Sequence, residues 1–120
     1  MSDLSAIIRE YYARIDAGDV TWVLNMFSKD GVYDRAGQAF HGREAIQSFY
    51  MNERKVKLHH SKLDLWQCGP DIFVEGAFSG VGADGSKRAG QFADHWTFND
   101  AGKVILRRTS LFTGSTYIKE

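Results

Sequence analysis

The chain has one cysteine, Cys68, in 120 residues. A lone thiol excludes an internal disulfide and leaves no cysteine cluster for zinc; its place before Gly69-Pro70 at the end of a strand-like run marks it as a small buried or edge side chain. Charge of one sign is also missing. Fifteen acidic and fifteen basic residues cancel, and no Lys/Arg block exceeds two residues, which argues against nucleic acid and other polyanions as partners. Long hydrophobic runs are absent as well. No apolar stretch approaches the roughly 18 residues of a membrane span. The N-terminal MSDLSAIIREYYARID is charged throughout, without the apolar centre of a signal peptide. The expectation is a cytoplasmic protein that neither binds nucleic acid nor enters a membrane.

What is present suffices for one core. With 43% hydrophobic residues, residues 1–120 read as a single domain too short to divide in two. Leu4, Ile7, Ile8, Tyr11, Tyr12 and Ile15 follow the 3, 4 spacing of one helix face, stopped by Gly18. Asp19 caps a second helix in which Val20, Val23, Leu24 and Phe27 repeat that spacing. Two short β segments, GVYDR and QAFHG, flank a turn at Ala36-Gly37-Gln38. A third helix from Gly42 carries Ala45, Ile46, Phe49 and Tyr50 inward. From Val56 the period changes to two, and four long strands follow: VKLHHSKLDLWQC, DIFVEGAFSGV, KRAGQFADHWTF and KVILRRTSLF. Their connections are short turns, so neighbours pair antiparallel. Helices first and strands second mean an α+β fold, three helices packed on one face of a strongly curved, mainly antiparallel sheet. Gly76, Gly80, Gly82 and Gly90 sit where such a sheet can bend.

Polar groups on apolar faces mark the candidate site. In FADHWTF, Asp94 shares a strand face with Phe92, Trp96 and Phe98, where an unpaired charge is costly. It is either a protonated donor or the partner of Arg107 or Arg108 on the next strand. Tyr11 and Tyr50 lie on inward helical stripes, and Asp34 is read on the Val32 face of its β segment, pointing inward. Of His59 and His60, adjacent in a strand, at most one enters the pocket, and a histidine there with Asp34 and a tyrosine would suit a dehydratase or aldol cyclase. No histidine pair has zinc-ligand spacing, so no metal is expected.

The stretches REYYARIDAGD, MFSKDGVYDRAGQAFHGREAIQSFY and ADHWTFNDAGKVILRR resemble the NTF2-like superfamily, in particular its SnoaL-like and ketosteroid isomerase-like members. The resemblance implies a cone-shaped fold and a cofactor-free isomerase or lyase, a homodimer, acting on a small hydrophobic carbonyl compound through an enolate. By the same resemblance Asp34 is the base, Tyr11 and a neutral Asp94 hold the oxyanion, and Tyr50 orients Tyr11. Phe49, His60, Phe78, Phe92 and Trp96 then contact substrate. Departures exist: Phe27 stands where the isomerases carry a further tyrosine, Arg35 where they carry proline after the base, and Leu111 where they carry a tryptophan. A non-catalytic ligand-binding or dimerising module is the competing expectation, because members of this superfamily also serve as binding domains.

Overall fold

The computed structural model describes residues 3–53, 57–82 and 84–112. Asp3 caps helix α1 (Leu4–Asp16) by accepting from the Ala6 N–H, and Asp19 caps α2 (Val20–Met26) through the Trp22 N–H. Gly18 between them takes φ +80°, the left-handed turn that ends α1 and reverses the chain. Phe27, expected on α2, instead opens strand β1 (Phe27–Arg35). Its extended backbone drops the ring into the core, fully buried, with its centroid 6.2 Å from that of Trp96. Strand β2 (Gln38–His41) and helix α3 (Arg43–Glu53) follow. The four long strands are β3 (Lys57–Cys68), β4 (Asp71–Val81), β5 (Lys87–Phe98) and β6 (Val104–Phe112). Val56, expected to open the first of these, and Ala83, expected in the turn between the second and third, lie outside the described residues.

The six strands run in the order β2-β1-β6-β5-β4-β3, antiparallel except for the parallel β1–β6 pair. The helices cover one face. Ile8, Tyr11, Tyr12, Val23 and Ile46 from above meet Ile72, Val74, Phe92, Trp96, Phe98 and Val104 from the sheet, all buried. This is the expected α+β architecture. Among the described residues no helix is long and apolar enough to cross a membrane.

Strand β3 slips in register against β4 between Ser61 and Asp64, with Lys62 at φ +55°, a bulge of the kind that bends a strand. Gly76 faces this bulge on β4. A Cβ there would stand 2.8 Å from the Phe92 ring and 2.9 Å from Leu63 Cδ2, so both side chains close over bare backbone. On the opposite face Trp66, Phe73 and Val81 are exposed, and Phe73 stacks on His95 with centroids 4.5 Å apart. Leu111 stands opposite Phe92 in the β5–β6 register. Residues directly opposite share a face, so Leu111 points toward the helices.

Overpacking at such a contact costs about 1–3 kcal/mol. Gly76→Ala is therefore expected to lower the urea midpoint by a corresponding amount at unchanged m-value. An unshifted midpoint would mean that Phe92 and Leu63 repack freely.

Candidate active site

Strands β5 and β6 set the floor of the site. On the helix-covered face Asp94 stands opposite Thr109, and Trp96 opposite Arg107. Arg107 is buried and lies across three rings, its guanidinium carbon 4.8, 4.5 and 4.5 Å from the centroids of Tyr11, Tyr33 and Trp96. Arg107 Nη2 donates to Asp94 Oδ2 at 2.8 Å, and Nη1 donates to the hydroxyls of Tyr50, at 2.9 Å, and Tyr11. The Asp94 side chain, 0% exposed, also accepts from the hydroxyls of Tyr12 and Thr109. A cation and two hydroxyls all donate to it. Asp94 is thus held as a carboxylate, and the expectation of a neutral, proton-bearing Asp94 gives way to its ion-pair alternative. Burial works against the charge on Arg107, but Asp94 and the surrounding tyrosines outweigh it and hold the guanidinium well above its usual pKa.

The tyrosine hydroxyls of α1 and α3 meet 2.8 Å apart, Tyr11 to Tyr50. Arg107 donates to both, and one phenol donates to the other. One phenolic proton of the pair therefore has no acceptor among the described residues and is available to the cavity both side chains line. Burial pushes Tyr11 and Tyr50 well above the ordinary phenol range, against the opposing pull of Arg107, so both remain protonated donors.

Above this floor opens a cavity of about 460 Å³, with Phe49, Phe78, Phe92, Leu58 and Leu111 among its apolar walls. His60 lines it from β3. Its Nδ1 lies 2.6 Å from Asp16 Oδ1 at the end of α1, and its backbone N–H donates to the other Asp16 oxygen at 2.8 Å. A carboxylate only accepts, so Nδ1 carries a proton, and in the neutral ring the lone pair is on Nε2. The rings of Tyr12 and Phe92, with centroids 5.2 and 5.3 Å away, hold the imidazole in place. His59, as alternation requires, turns outward with its side chain 72% exposed.

The family model for the SnoaL-like domain matches residues 8–106. The chain belongs to the SnoaL-like domain family. Its fold is that of an NTF2-like protein of unknown function from Burkholderia pseudomallei, at a TM-score of 0.82 and 19% identity over 92% of both chains. It is also similar to TerC, crystallised with polyporic acid, at 0.80 and 18% over 92% of both chains. A third likeness is to SalBIII, an epoxide hydrolase/cyclase-like enzyme of pyran ring formation in salinomycin, at 0.77 and 20% identity over 90% of this chain and 89% of that one.

In this SnoaL-like domain the cavity gathers Tyr11, Tyr50, Phe49, His60, Phe78 and Phe92 from the residues singled out in the sequence. Three others stand elsewhere. Asp34 falls on the outer face because Tyr33 and Arg35 turn inward, and it lies 3.9 Å from the exposed Arg108. Trp96 is fully buried beneath Tyr11, with centroids 4.7 Å apart, and does not line the cavity. Asp94 is sealed beneath Tyr12 and Arg107. Sequence reasoning missed Asp16 and Tyr33 and saw Arg107 only as an ion-pair partner. The available signal for Arg107 was its parity with Thr109 and Leu111 along β6. Among the described residues, no three His, Cys, Asp or Glu side chains come together to hold a metal ion.

The buried phenols make folding sensitive to alkali. Tyr11, Tyr12 and Tyr50 have raised pKa values in the folded chain, so their stabilisation is complete below about pH 10, where the unfolded phenols ionise. Above it the unfolded state releases protons the folded state retains. Stability is expected to fall by about 1.4 kcal/mol per pH unit for each of these tyrosines. Phenolate absorbance near 295 nm should then rise with unfolding rather than before it; ionisation of these groups in the still-folded protein would contradict the burial argument.

Proposed function

We propose that the protein is a cofactor-free enzyme that forms an enolate from a small hydrophobic carbonyl compound. The observation that carries this reading is the opening of the Arg107-backed Tyr11–Tyr50 pair and the Asp16-oriented His60 into one cavity. His60 Nε2 takes a proton from the carbon next to the carbonyl. The C–H electron pair becomes the enolate double bond, and the carbonyl π pair moves to oxygen, which accepts the free phenolic proton as a hydrogen bond. Asp16 fixes the tautomer and offsets the imidazolium charge, a positioning role. The base is thus His60 rather than Asp34, whose side chain faces away from the cavity.

The enolate can then attack a second carbonyl of the same molecule, expel a β-hydroxyl, or be reprotonated elsewhere. These are aldol cyclisation, dehydration and allylic isomerisation. Membership of the SnoaL-like family and the likeness to the ring-forming SalBIII favour cyclisation. A salt-bridged Asp94 equally suits a ligand-binding module without catalysis, so the test must read proton transfer and not binding.

The test uses 2-tetralone, a hydrophobic ketone with acidic α-protons, and follows their exchange with deuterium oxide by NMR. The wild type is expected to accelerate exchange; His60→Gln should lose about 100-fold, as general bases contribute on that order. Tyr50→Phe should lose about 100-fold, the lower end for an oxyanion donor, and Asp34→Asn nothing. Exchange unaffected by His60→Gln removes the base assignment. Binding without acceleration selects the passive module.

The homodimer is part of the same proposal, since Trp66, Phe73 and Val81 leave one sheet face apolar and exposed. Light scattering at micromolar concentration should give twice the 13.5 kDa chain mass. A monomeric mass would rule the dimer out.

A further inference from the structure

One cation that lines the cavity has no carboxylate beside it among the described residues. Asp16 faces His60, and Arg107 is neutralised by Asp94 beneath it. Arg35 also lines the cavity, and among the described residues no carboxylate lies within ion-pair distance of it. Its chain neighbour Asp34 is on the other face, beside Arg108. The Arg35 guanidinium carbon stands 5.4 Å from the centroid of Phe49, and Phe49 is itself fixed against Tyr33 and Phe40 at 5.2 and 4.9 Å. The side chain is therefore braced on an aromatic face rather than paired.

Its position relative to the phenols follows from the strand register. Tyr33 is level with Arg107, and Arg35 with Thr109, along the parallel β1–β6 pair. Two strand residues separate Arg35 from the level of Arg107, an offset of roughly 7 Å toward Leu111. A cation thus lines the same cavity as the Tyr11–Tyr50 pair, two strand residues along from the level of Arg107 that backs it.

We propose that the substrate is an acid: a flat, hydrophobic carbonyl compound bearing a carboxylate, or an equally acidic ionised enol, held by Arg35 while its reacting oxygen meets Tyr11 and Tyr50. This deepens the enolate reading and rests on it for the second contact only. An ammonium or neutral hydroxyl at the same place would leave Arg35 without a counter-charge in a partly desolvated wall, whereas a carboxylate meets its fork with two parallel hydrogen bonds.

The test compares two fluorescent probes, 2-naphthol and 6-hydroxy-2-naphthoic acid, which differ only by a carboxylate at the far end of the ring system. The wild type is expected to bind the naphthoate about 10-fold more tightly, with the preference shrinking as salt is added. Arg35→Gln should abolish that preference and leave 2-naphthol unchanged; Arg35→Lys should restore part of it. Equal affinity for the two probes in the wild type overturns the proposal, as does a preference that survives Arg35→Gln or failure of either probe to bind. The phenol contact is read separately: 2-naphthol binding indifferent to Tyr50→Phe defeats the oxyanion reading while the naphthoate preference still reports on Arg35.

Discussion

The buried pair of Arg107 and Asp94 is the constraint around which this domain is arranged. Taking a guanidinium and a carboxylate out of water costs several kcal/mol per ion, recovered only where geometry and further hydrogen bonds are good. Here every layer contributes to that recovery. Helix α1 supplies Tyr11 and Tyr12, β1 Tyr33, α3 Tyr50, β5 Asp94 and Trp96, and β6 Thr109 beside Arg107 itself. A one-residue slip of β6 would turn Arg107 to solvent and bring Leu106 or Arg108 inward, orphaning the carboxylate. The pair therefore specifies the register of the central strands and the seating of the helices on them. Well-packed apolar residues often match such a pair in stability, so its presence is better understood through what it does to the phenols above it.

Those phenols receive opposite instructions from their surroundings. Burial makes their ionisation harder, while Arg107, donating to both oxygens, draws electron density from them. The outcome is a neutral hydroxyl whose proton is a strengthened donor and is not lost at physiological pH. The steroid isomerases named in the sequence comparison reach a similar end with a protonated aspartic acid. In this chain Asp94 accepts from Arg107, Tyr12 and Thr109, and the hydroxyl-bearing side chains that line the cavity above it include Tyr11 and Tyr50.

How far the site could be read in the sequence depended on which periodicity carried each residue. Tyr11 and Tyr50 were legible because a helix of several turns defines its inward stripe from many residues, so one misjudged position changes little. The capping residue Asp19 and the switch to period two from Val56 are local signals too, and the fold follows from them. Asp34 failed because a five-letter β segment is compatible with either parity. Its register also slips between Phe27 and Val32, so counting from a core residue does not carry across. Arg107 and Arg108 pose the same problem, with an irregularity between Val104 and Leu106 deciding which one enters. The Asp16–His60 contact joins residues 44 positions apart at a helix end and a strand, and no local pattern encodes it.

The distribution of charge around the cavity suits the proposed proton transfer. Before the reaction the imidazole and the ketone are both neutral; afterwards there is an imidazolium and an enolate. The new positive charge forms 2.6 Å from Asp16, and the new negative charge forms on an oxygen held by phenols that Arg107 polarises. Each charge thus appears beside an existing opposite one, in a wall already oriented to receive it, so little reorganisation is required at the transition state. The carboxylates of Asp16 and Asp94 are each committed to a partner and do not repel an anionic intermediate directly. Arg35, the cavity cation left without a partner among the described residues, adds a field of the same sign. With Arg107 paired to Asp94 beneath the phenols and Arg35 left without a carboxylate among the described residues, the cavity offers the positive field that the proposed acidic, enolisable substrate requires.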